Sequence, residues 1–177
     1  RDVHLPRFRS TPELEHERAR VAAELATVPR TNTRPLQLAS SLQGSWRAFL
    51  SAGQRANADA AWRELDDYAR RVGDPYVQMW QMMVEAWRLA LEGEFEAGVE
   101  VVQRFAGSAA GAEPFPQGMT AFVASLQLAR LGRFEEALAH RQLWGAFLPS
   151  EGMAAYIPAA AGLMDEARRE AQRLVTE

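Results

Sequence analysis

The sequence predicts an all-α fold built from antiparallel helix pairs stacked along the chain, and three observations carry that prediction. A corner of the form Gly-x-Phe-x-x-Ala, clearest at Gly132 to Ala137, recurs in degraded form at Gly53 to Ala58, Gly93 to Gly98 and Gly162 to Ala167. The corner glycines lie 40, 39 and 30 residues apart, the span of a helix, a turn and a return helix, and repeats of about 34 to 47 residues mark helical solenoids. Between the corners apolar residues recur every three or four positions, and no stretch alternates as a strand would.

The elements follow in order. Thr11-Pro12-Glu13 is a helix start, with a hydroxyl cap, proline at the first position and an acid near the positive end of the dipole. Leu14, Val21, Leu25 and Val28 fall on one face of that helix, which stops at Pro29 and reads as the second half of a pair. A helix from about 36 to 52 carries Leu36, Ala39, Leu42, Trp46, Phe49 and Leu50, and after Gly53 the return helix carries Ala58, Ala61, Trp62, Leu65, Ala69 and Val72. Gly73-Asp74-Pro75 ends one helix and opens the next.

The helix from 75 to 92 is apolar over about three quarters of its circumference, leaving Gln78, Gln81, Glu85 and Arg88 as a narrow polar stripe, so it must be packed from two sides. Its methionines and tryptophans read as core. Phe95, Val99, Val102 and Phe105 give the next helix, ending in the small residues from Ala106 to Ala112. The run from Glu113 to Gly118, with Pro114 and Pro116, reads as a rigid loop. Met119, Phe122, Val123 and Leu126 resume helix, Phe134, Ala137, Leu138 and Trp144 return it to Pro149, and Pro158 predicts a short or kinked helix before the last one at Met164, Ala167, Ala171 and Leu174. The expected organisation is one domain: a half repeat at 1–29, then repeats at 30–73, 74–112, 113–149 and 150–177.

Composition excludes several functions. The 177 residues hold 32 alanines, no cysteine and no lysine, with a net charge of −3. A phosphate-binding P-loop needs a lysine. A nucleophile elbow would need Gly-x-Ser-x-Gly, and Gly107-Ser108 is wrongly spaced for it. His4, His16 and His140 are scattered, and the neighbours Asp66-Asp67 and Glu135-Glu136 point to different azimuths on a helix. His140 and Glu136, four residues apart, read as a surface pair. No catalytic, cofactor-binding or metal-binding residue is expected. The acidic balance disfavours nucleic acid, and the low-charge run from Met153 to Met164 is too short to span a bilayer. Arg1 to Pro6 is neither a start nor a signal peptide, so the chain reads as an excised piece, and the lack of cysteine points to the cytoplasm.

The corner at Gly132 to Ala137, with Pro149 after it, resembles the inter-helix core of the tetratricopeptide repeat, which implies a right-handed α-solenoid of about four repeats. Ala86, Ser125 and Ala155, seven residues before three of the glycines, match that repeat's small first-helix position. Trp46 and Gly98 depart from its pattern. Trp62 to Tyr76, Trp80 to Trp87 and Leu91 to Ala97 further resemble the repeat region of LuxR-type and maltose-regulator-like bacterial signal-responsive ATPase regulators. That resemblance implies a non-catalytic scaffold that docks a protein or peptide, other domains of the same polypeptide or a second copy, or that senses an effector. A freestanding adaptor is the alternative. The first helix of each pair would line a concave groove through Gln43, Arg47, Gln78, Gln81, Glu85, Arg88, Gln127 and Arg130, although the same stripe also reads as a solvated face.

Overall fold

Proline and glycine set nearly every helix boundary. A computed structural model describes residues 11–28, 33–108, 114–140, 143 and 153–176, and among these there are helices and no strand. The helices are α1 (Pro12–Thr27), α2 (Pro35–Ser51), α3 (Arg55–Val72), α4 (Pro75–Leu91), α5 (Phe95–Ala106), α6 (Pro114–Arg130), α7 (Phe134–Ala139), α8 (Met153–Ala160) and α9 (Met164–Thr176). Four of them, α1, α2, α4 and α6, begin on a proline, whose fixed φ suits the first turn and whose missing N–H would be unsatisfied there anyway.

The four corners are alike down to their hydrogen bonds. Gly53, Gly93, Gly132 and Gly162 have φ of 72°, 83°, 75° and 79°, a left-handed conformation in which a side chain would be strained. In each, the N–H after the glycine donates back five residues, from Gln54 to Phe49, Glu94 to Leu89, Arg133 to Leu128 and Leu163 to Pro158, at 2.8 or 2.9 Å. Each glycine N–H donates back three residues at 3.0 to 3.2 Å. These two bonds make the Schellman stop, which satisfies carbonyls the helix leaves open. The next helix starts two residues after the glycine every time, and the small residue five on, Ala58, Gly98, Ala137 or Ala167, is buried. The aromatic two residues after the glycine occurs only at Phe95 and Phe134; Arg55 and Met164 are exposed in its place. Backbone and small side chain therefore define the corner.

The chain divides into two compact units, residues 1–72 and 73–177. In the first, α2 packs against both α1 and α3. The face of α1 turned inward is Ala19 and Ala22, which corrects the expectation for Leu14, Val21, Leu25 and Val28, all of them exposed. Alanines let α1 approach α2 closely, and that contact outweighs the larger residues on a neighbouring azimuth of the same turns. In the second unit α4 packs on α5 and α6, α5 on α6, α6 on α7 and α8, α7 on α8, and α8 on α9.

Helix α4 is buried on both sides as its pattern requires: Met79, Met82, Met83, Ala86 and Leu89 join a core with Val101, Val102, Met119, Val123 and Ala124, while Val77 and Val84 on another face are fully buried outside that cluster. Asp74 caps the helix by accepting from the N–H groups of Tyr76 (2.9 Å) and Val77 (3.1 Å). The expected loop at 113–118 is corrected from Pro114 onward. Pro114 and Pro116 occupy the first turn of α6, where neither needs to donate, and Pro116 accepts a 2.6 Å bond from the Thr120 hydroxyl. Pro158 lies within α8, which is eight residues long. The expected return through Trp144 to Pro149 and the small-residue tract beyond Ser108 fall outside the described residues.

Candidate functional site

The polar residues expected to line one groove meet different fates. In the first unit Gln43 is buried and Arg47 exposed, and both border a groove of about 500 Å³ between α1 and α2 with Arg18, Val21, Leu25 and Gly44. Arg47 makes no ion pair among the described residues. In the second unit Gln78, Gln81, Glu85 and Arg88 are all half-buried along α4. Two of their contacts consume polar capacity locally: the Gln81 amide donates to Glu85 Oε2 at 2.9 Å, and Arg88 Nη1 to both oxygens of Glu92 at 3.1 Å. A stripe engaged in this way presents less to a partner than its composition implies.

Gln127 is not part of any surface. It is 0% exposed, and its amide nitrogen donates 3.0 Å to the carbonyl of Ala86, tying α6 to α4. Room for it comes from Gly98 on α5: a Cβ there would stand 3.3 Å from Gln127 Cδ and 3.5 Å from the Ala86 carbonyl. The glycine that departs from the repeat pattern is thus the partner of a glutamine that crosses the helix interface. A second polar tie joins α6 to α7, where the buried Ser125 hydroxyl lies 2.8 Å from the Ala121 carbonyl and 3.0 Å from that of Ala137. Arg130 is exposed and has no ion-pair partner among the described residues.

Besides the polar stripe, α4 and α6 share an apolar face that runs from the core out to exposed margins. Tyr76, Trp80, Met83, Trp87 and Leu91 share one face of α4, and Phe115, Met119, Phe122, Leu126 and Arg130 repeat the same intervals on α6, each 39 residues later. Tyr76 and Phe115 stack with ring centroids 6.0 Å apart, and the Gln127 bond to Ala86 holds the other end, so the two helices run side by side with matching positions level. Met83 and Met119 are buried between them, Trp80, Trp87 and Phe122 pack on that core from outside, and the margins open at Phe115 (38% exposed) and Leu91 (61%). The indole N–H of Trp80 is buried and meets no acceptor. The signal was present in the sequence as the equal spacing of the two stripes.

Several ionisable groups elsewhere form surface pairs. Asp66 and Asp67 both reach Arg70, at 2.8 and 2.6 Å, and Glu136 is held by Arg133 at 2.5 and 2.6 Å, which keeps the Glu136 carboxyl below the usual range. Burial pushes the His140 imidazole down, the nearby Glu136 charge opposing it. His140 borders an apolar recess of about 360 Å³ between α5 and α6. Among the described residues no three His, Asp or Glu side chains are grouped to hold a metal, and no helix is long and apolar enough to cross a membrane. Comparison with protein-family models, with curated proteins and with solved structures finds no match.

Proposed function

We propose that this chain is a tetratricopeptide-like scaffold without chemistry of its own, serving as the partner-docking or effector-sensing segment of a signal-responsive bacterial regulator. The observation that carries the reading is the fourfold recurrence of one corner, with the same left-handed glycine, the same two backbone bonds and a buried small residue five positions on. The packing of the second unit supports it, because among the described residues its helices pack chiefly on elements near them along the chain, as repeats stacked in sequence do. The absence of a lysine, an elbow serine or a histidine pair from the sequence supports the non-catalytic part.

Hydrogen exchange tests the repeat character. Gly162→Val puts a β-branched residue at φ +79°, a strain of about 2 kcal/mol, or roughly thirtyfold in local opening. In a chain of nearest-neighbour units the loss of protection is confined to α8 and α9. A uniform loss across α4 to α6 would show a single cooperative bundle and refute the reading. The docking role is tested by affinity capture from a bacterial lysate on the immobilised chain, compared with Leu91→Glu/Arg130→Glu. Captured proteins lost from the variant while its melting temperature holds support docking at this face. Capture that is unaltered removes the face from the function.

A further inference from the structure

The paired stripes on α4 and α6 say more than that something docks. Nine of their ten positions are apolar, five of those nine are Trp, Tyr or Phe, and two more are Met. Aromatic residues, methionine and arginine are the types enriched where proteins meet, and Trp, Tyr and Arg are the types whose removal costs most binding. From Tyr76 to Leu91 the stripe spans fifteen residues of helix, about 22 Å.

One exposed charged group on this face has no partner among the described residues. The Arg130 guanidinium stands exposed at the end of the α6 stripe, level with Leu91 on α4, and pairs with no carboxylate among the described residues; the Trp80 indole N–H, also without an acceptor, is enclosed and out of an occupant's reach. The nearby acids on the adjoining stripe are already engaged, Glu85 by Gln81 and Glu92 by Arg88. An occupant that matches this face brings a carboxylate for Arg130 along with an apolar surface. Resting on the scaffold reading above, we propose that the α4–α6 face binds an acidic amphipathic helix of a partner protein, its apolar stripe over Trp80, Phe122 and Trp87 and a carboxylate opposite Arg130. A helix is the fitting occupant because the rungs recur at 4, 3, 4 and 4 residues, the interval at which a third helix presents one face.

The test uses two synthetic helical peptides of about 18 residues, long enough to cover the face. They share one leucine stripe and differ in carrying glutamates or lysines at the polar positions. Fluorescence anisotropy of each labelled peptide is followed against the full chain, Arg130→Glu, Leu91→Glu and, as a control on the other unit, Val28→Glu. The expected result is that the glutamate peptide binds at least tenfold more tightly than the lysine peptide. Arg130→Glu erases or inverts that preference, Leu91→Glu weakens the glutamate peptide at least tenfold with an unchanged thermal melt, and Val28→Glu has no effect. Equal affinities, a preference for lysine, no binding of the glutamate peptide, or indifference to Leu91→Glu overturns the proposal. Where the peptides fail yet lysate capture still depends on Leu91 and Arg130, the partner chemistry is wrong and the docking role stands. Where capture fails as well, both fall.

Discussion

An alanine at Gly98 would place a methyl group 3.3 Å from Gln127 Cδ, in a crevice already closed by the Ala86 carbonyl at 3.5 Å. Inside a helix the exchange of glycine for alanine is worth about 1 kcal/mol in favour of folding. Here the methyl must displace Gln127 by a few tenths of an ångström, which forces the core and loosens the amide bond to Ala86. Overpacking of this kind costs about 1–3 kcal/mol and a buried hydrogen bond about 1. The balance predicts that Gly98→Ala destabilises the protein by about 1 kcal/mol, against the helix preference. In a Gln127→Ala background the obstacle is gone, and the same substitution should stabilise by about 1 kcal/mol. The double-mutant cycle therefore closes with a coupling of about 2 kcal/mol, measured as shifts in urea midpoint at constant slope for the transition that includes α4 to α6. Equal effects of Gly98→Ala in the two backgrounds, within about 0.5 kcal/mol, would mean that Gln127 does not lie where α4, α5 and α6 meet.

Glycine to alanine should have opposite signs at two further positions. Gly132→Ala, at φ +75°, loses about 1–2 kcal/mol, whereas Gly44→Ala, in mid-helix on α2 with open space around it, gains about 1, both read by thermal melting. Asp74→Ala removes the cap of α4 and should cost about 1 kcal/mol, or roughly 2–4 °C in melting temperature. Because burial holds the folded-state pKa of His140 below its ordinary 6.5, the unfolded chain binds the proton first as pH falls. Stability present above pH 6.5 is then lost toward the depressed value. His140→Gln should flatten the decline in urea midpoint between pH 7.5 and 5.5, a window above the carboxylate range, and an unchanged slope would place the histidine in solvent.

The corners were legible because everything that fixes them lies within a few consecutive residues. A glycine tolerates positive φ, and a small residue five on permits close approach, whatever the rest of the chain does. The two-sided burial of α4 was legible for the same reason, since its composition leaves only one narrow polar stripe. Gln127 was not. An amide beside the exposed Arg130 reads as surface until Gly98, 29 residues earlier in the sequence, is known to open a crevice for it. Helix α1 misled in the opposite way, because Ala19 and Ala22 carry less apolar area than Leu14 or Leu25 yet allow the nearer contact with α2. Pro114 and Pro116 were read as loop residues, although a first helical turn accepts both. Trp80 and Trp87 were placed on the core by their helical spacing, and both pack against it, although spacing did not show that each would stay half-buried.

The stop at each corner has a consequence for synthesis. Its bonds close within six consecutive residues, and among the described residues the helices of the second unit pack chiefly on near neighbours in sequence, so a pair emerging from the ribosome needs little of what is still to be translated. Such low contact order favours rapid formation, and each finished pair offers its successor a template rather than waiting for a distant strand to arrive.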